Sequence, residues 1–190
     1  MTKDNMVYTK QNDMENLALR WRFLWQHLSY WIREYMVAKS LKADPVYLNE
    51  IKEKILTIID EFGDMMRTFF GDIVADEYLK LFTSYIMLFI SFIDALSENN
   101  ISKANEVVKE LYESVEQRAK YLFNVNPYWD RATLDEYIFT FTSMTIQEIT
   151  TFMSKQYKES VDLYEKILSY SIAQSDFLAQ GAKKYLTYKT

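Results

Sequence analysis

At 190 residues and 49% hydrophobic content, the chain has enough material for a domain with a sizeable core. Its net charge is −5 and its 22 basic residues are scattered among 27 acidic ones, so it offers no electrostatic footprint for a phosphate backbone and nucleic acid is not an expected partner. The absence of cysteine excludes disulfides, thiolate nucleophiles and Cys-containing metal sites, and fits a reducing, cytoplasmic setting.

Only three glycines and two prolines interrupt the chain, too little turn chemistry for a many-stranded fold, so the expectation is helix. The polar start, "MTKDNMVYTKQNDMEN", has no apolar h-region and does not read as a secretory signal. Residues 1–13 are expected to form a flexible arm and 14–190 a single helical-bundle domain.

The first helix is predicted from Met14 to Lys42, with a 4-3-4-3 stripe of Leu17, Trp21, Leu24, Leu28, Trp31, Tyr35 and Ala38. Asp44 reads as an N-cap with Pro45 at the first position of a second helix ending near Gly63, and Asp64 to Phe70 as a short extra turn. Asp72 is expected to cap a third helix to about Ser97, with the stripe Val74, Tyr78, Leu81, Tyr85, Leu88, Phe92 and Ala95. Its apolar run, "LFTSYIMLFISFI", lies between Lys80 and Asp94. It falls short of the roughly 20 residues of a spanning helix, so it reads as a buried helix and no membrane is expected.

A fourth helix follows "SENNIS", from about Ser102 to Phe123, and "NVNPYWDR" breaks the chain again. Thr133 with Glu136 makes a capping-box pattern for a fifth helix to about Ser154, and the last runs from about Tyr157 past Gly181. Long helices joined by short turns favour antiparallel neighbours. The expected fold is all-α, an antiparallel up-and-down bundle of four long helices with two further helices packed alongside. "DEYLKLFTS" at Asp76 to Ser84 and "DEYIFTFTS" at Asp135 to Ser143 form an internal echo 59 residues apart, each after an aromatic break. Duplication of a hairpin unit and chance similarity of helix starts both account for it.

The stretch "RWRFLWQHLSYWIREY", Arg20 to Tyr35, holds three of the four tryptophans and the single histidine. At 100° per residue, Trp21, Leu24, Leu28, Trp31 and Tyr35 share a narrow arc flanked by Trp25 and Ile32, which is a core face. His27 falls at the edge of this seam and has no partner in sequence that would make it a base. No Gly-rich phosphate loop, GxSxG, HExxH or EF-hand loop occurs, and one histidine cannot assemble a di-iron bundle. No catalytic residue, metal ligand or cofactor is expected.

Leu24-Trp25, Trp31, Arg33 and the later Asn126-Pro127-Tyr128-Trp129 resemble the motifs of a family of small, uncharacterised bacterial helical proteins. That resemblance implies inward His and Glu residues on facing helices, a metal or polar-ligand site laid out as in hemerythrin-like and ferritin-like proteins. Here the implied positions are changed: the first His position is Leu28, the middle Glu-His is Ser84-Tyr85, the later Glu-His is Thr140-Phe141, and Glu148 alone remains. A slip of one residue does not restore His27, because 100° of rotation points it at a different neighbour.

Glu148 lies close to Phe141 on the stripe of Leu134, Phe141 and Phe152. Three readings follow: a solvated helix end, a buried structural hydrogen bond, or a functional carboxylate. If buried, it needs a partner or a raised pKa, and Arg33, Arg118, Ser84 and Tyr85 are the candidates. The leading expectation is a non-enzymatic binding or structural module acting through protein surfaces, with a protein partner or self-association as a homo-oligomer. The alternative is a bundle that binds a small molecule or metal internally, lined by Glu148, Tyr85 and Arg33.

Overall fold

The computed structural model describes residues 3–188, with side chains from residue 16 onward. Six helices account for it: α1 (Lys3–Ser40), α2 (Pro45–Phe70), α3 (Asp72–Ser97), α4 (Ile101–Val125), α5 (Arg131–Met153) and α6 (Tyr157–Tyr188). Helix α1 begins at Lys3, ahead of the expected Met14, so its backbone runs through residues 3–13 of the expected arm, whose side chains lie outside the described residues.

The chain folds as an antiparallel up-and-down bundle. Arg22 meets Asp176 while Arg33 meets Ser160, so α6 descends as α1 ascends. Trp25 packs on Phe82 while Tyr35 bonds Asp94, so α1 and α3 run parallel. Helices α1, α3 and α5 pack against one another at the centre, and α2, α4 and α6 each fill the groove between two of them. An inner helix therefore buries more than one stripe. On α1 the buried set includes Trp25, Ile32 and Met36 as well as Trp21, Leu24, Leu28 and Tyr35, while Trp31 is only half-buried. On α3 the buried face is wider than the expected stripe: Tyr78, Tyr85, Phe92 and Ala95 of that stripe are buried, as are Ala75, Phe82, Phe89 and Ile93 beside it, while its Val74, Leu81 and Leu88 are half-buried. Among the described residues α3 is also the one helix long and apolar enough to cross a membrane by length and composition, which the shorter apolar run did not suggest.

Helix ends follow local chemistry. Asp44 accepts from Val46 N–H at 2.7 Å with Pro45 at N1, as read. Gly63, however, does not end α2. It is buried mid-helix, where an added Cβ would lie 2.5 Å from Leu79 Cδ1, so this glycine permits close helix approach, and the stop is Gly71 at φ 84°. Asp72 makes no cap hydrogen bond; Gly71 is the N-cap and Asp72 pairs with Arg67 at 3.0 Å. Helix α5 starts ahead of the expected capping box. Asp130 caps it, accepting from Thr133 N–H at 2.9 Å and from the Thr133 hydroxyl at 2.7 Å.

The two aromatic breaks meet at one end of the bundle. Phe70 lies 5.6 Å from the Trp129 ring and 4.9 Å from Tyr185. Trp129 is fully buried, donates through Nε1 to Leu178 O at 3.0 Å, and occupies the space a Cβ on Gly181 would need, 2.0 Å away. The internal echo has a spatial counterpart, since Phe82 of α3 and Phe141 of α5 both pack edge-on against Trp25, at 5.6 and 5.0 Å. At the other end the three hairpin turns close alike. In each a backbone N–H bonds back five residues, Ala43 to Ala38 O, Asn100 to Ala95 O and Gln156 to Thr151 O, at 2.8–3.0 Å.

Candidate functional site

Glu148, in the second half of α5, is 2% exposed, so the solvated-end reading is corrected. Helix α1 brings Arg33 to it and the first turn of α6 brings Ser160. Arg33 Nη1 donates to Glu148 Oε1, and Ser160 donates to the same oxygen at 3.0 Å. Arg33 Nη1 also reaches Ser160 Oγ at 3.3 Å, and its guanidinium lies 4.6 Å from the Tyr164 ring centroid. One carboxylate thus ties three helices together. Burial pushes Glu148 up to about 7, against the pull of Arg33 and the Ser160 hydrogen bond. The same burial pushes Tyr164 up to about 12.

The space beside this cluster, among Ser29, Ile32, Thr145 and Ile167, is about 10 Å³. That is room for about one water. The sequence reading placed Tyr85 with Glu148 and Arg33; the structure places it elsewhere. Tyr85 donates to Thr142 Oγ1 at 2.7 Å, because the Thr142 hydroxyl proton is already given to Ile138 O. Ser84, another candidate partner for Glu148, is exposed.

Arg118 belongs to the Tyr85 cluster and not to Glu148. It is 2% exposed, with its guanidinium 4.1 Å from the Tyr85 centroid and 4.8 Å from that of Phe82. Its Nε and Nη1 have no hydrogen-bond partner. Burial raises the Tyr78 and Tyr85 hydroxyl pKa values, and Arg118 pulls both back. Sequence reasoning offered Arg118 only as a partner for Glu148 and not as part of the α4 core face, although Leu111, Val115, Arg118 and Leu122 follow its 4-3-4 spacing.

His27 is half-buried with its ring 3.9 Å from that of Phe23. The nearby Ser29 hydroxyl donates to Trp25 O at 2.9 Å, so these two residues form no base–nucleophile pair. Among the described residues no group of three or more His, Asp or Glu converges as a metal set. The positions where the family resemblance implies histidines, Leu28, Tyr85 and Phe141, are each buried to 1% exposure or less on the three inner helices.

Fold and site together define an all-α antiparallel helical bundle with one buried carboxylate paired across three helices, one buried guanidinium held on aromatic faces, and a centre of aromatic packing. No protein-family model, curated protein or solved structure matches the chain.

Proposed function

We propose that this chain is a non-enzymatic binding or structural module that works through its outer surface, with self-association as a homo-oligomer its first form and the cytoplasm its place of action. The observation that carries the proposal is the interior at Glu148: Arg33 and Ser160 take up the carboxylate, and about 10 Å³ remains beside it. The internal-ligand alternative would have to fit in that volume.

The outside of α1 supports the same reading. Leu19, Phe23 and Tyr30 are each more than half exposed, at spacings of four and seven along one face. Tyr and Phe are enriched in protein interfaces. Kinship with the small bacterial helical proteins is part of the proposal, supported by the roles of the shared residues: Leu24 and Trp25 in the core, Arg33 on Glu148, Asn126 and Trp129 closing the α4–α5 break.

Native mass spectrometry of the untagged protein tests both halves at once. The expected spectrum contains multimers without a retained small molecule, and Phe23→Glu with Tyr30→Glu returns the mass to monomer. A stoichiometric metal or small molecule that is lost in Glu148→Gln would reverse the order of the two readings.

A further inference from the structure

At the bundle end opposite Trp129, the three hairpin turns face one another across an open dish of about 650 Å³. Small-molecule sites commonly span about 300–1,000 Å³. Its floor is apolar and half-buried: Ala43, Leu48, Leu96, Phe152 and Met153. Each turn places one residue in the left-handed region, Lys42 (φ 54°), Asn99 (φ 56°) and Lys155 (φ 63°).

That position favours Gly or Asn, because a Cβ there crowds the following carbonyl. Asn99 obeys this preference; the two lysines do not. The helix dipole favours a cation anywhere in the last turn, so it accounts for Lys39 and gives no reason to choose the strained positions. Lys39 is also already committed, 2.8 Å from Asp94 and 4.0 Å from Glu98. Among the described residues no ion pair reaches Lys42 or Lys155. Asp44, beside the rim, caps α2 by accepting from the Val46 N–H and makes no ion pair with Lys42. In a chain of net charge −5 the lining of this dish therefore carries three lysines, Lys39, Lys42 and Lys155, against one carboxylate, Glu98, and two of those lysines sit there at a conformational cost that glycine would remove.

We propose that this dish binds an anionic amphiphile, a small molecule with one carboxylate head and an apolar body. Lys42 and Lys155 hold the head, and Leu48, Leu96, Phe152 and Met153 cover the body. The dish is separate from the exposed α1 face and touches the Glu148 cluster only through Phe152, whose ring centroid lies 5.7 Å from the Arg33 guanidinium; the proposal stands or falls independently of the surface reading.

The test is calorimetric titration of the full chain with decanoate, with decylamine and an acidic peptide as parallel arms. One decanoate per chain is expected, with weaker binding at higher salt. In Lys42→Gly/Lys155→Gly binding should fall about tenfold or more, while the melting temperature rises because the strain is gone. Met153→Glu, a charge on the floor, should abolish uptake with helical circular dichroism kept. The proposal is overturned if decanoate does not bind, if decylamine binds as tightly, or if the acidic peptide binds and decanoate does not. It is equally overturned if the glycine variant keeps full affinity, or melts lower than the parent, since the lysines then serve only the turns.

Discussion

Replacing Glu148 by Gln turns the buried carboxyl into a permanently neutral group of the same shape, and its effect on stability should depend on pH in a stated direction. The carboxyl is held at about 7 in the fold against an ordinary value of 4.5. Between those two pH values the native chain binds up to one more proton than the unfolded chain, so stability falls as pH rises. The contribution is fully present below pH 4.5 and is lost as pH climbs through 7. At 1.36 kcal/mol per unit the interval corresponds to a change on the order of 3 kcal/mol. Arg33 stays charged throughout, and Tyr164, pushed up to about 12, does not titrate in this window. Urea unfolding of the parent and Glu148→Gln, followed by tryptophan fluorescence at a series of pH values across this window, isolates the group because other titrations cancel in the difference. The parent should lose about 3 kcal/mol relative to the variant from the acid to the neutral end. A difference independent of pH, or one that grows in favour of the parent, would mean that Arg33 outweighs burial and keeps the carboxylate ionised.

Further outcomes follow from packing, capping and buried charge. Gly181→Ala should cost about 1–3 kcal/mol in thermal unfolding, because the fully buried Trp129 indole, fixed by Leu178 O, cannot yield to a Cβ 2.0 Å away. Gly63→Ala should cost clearly less, since both helices gain the same about 0.5–1 kcal/mol from losing glycine but the clash at Gly63 is with the half-buried Leu79 side chain, which can turn aside; equal costs would refute the packing argument. Asp130→Ala should lose about 1 kcal/mol in chemical denaturation while Glu136→Ala stays within about 0.5, the reverse of what a Thr133–Glu136 capping box would give. At Arg118, Met should be tolerated within about 1 kcal/mol, whereas Lys should cost about 3, because a buried ammonium cannot spread over the Tyr85 and Phe82 faces. A melting order with Lys above Met would show that charge alone is what the site needs.

Much of the architecture was legible in residue order because its causes are local. A cap such as Asp44 with Pro45 and the scarcity of glycine and proline act over a few residues, so six helices in three hairpins, and the α2 start, could be read directly. The same locality explains the errors. Gly63 looks like a stop until Leu79, sixteen residues on, fills the space where its side chain would be. The stripes on α1 and α3 were narrower than the faces actually buried, because periodicity assumes one neighbour and an inner helix has several. Glu148 stood out in the sequence as a charge on an apolar face, but four partners were open to it. The choice of Arg33 over Arg118 depends on α1 and α4 lying on different sides of α5, and distance along the chain carries no record of that. Residue identity and spacing determined which segments are helical and roughly where they turn. Only the tertiary structure decided which charges are buried together and which turns share a rim, because those relations are made by segments on different helices, 115 residues apart for Arg33 and Glu148, and each segment alone is compatible with several neighbours.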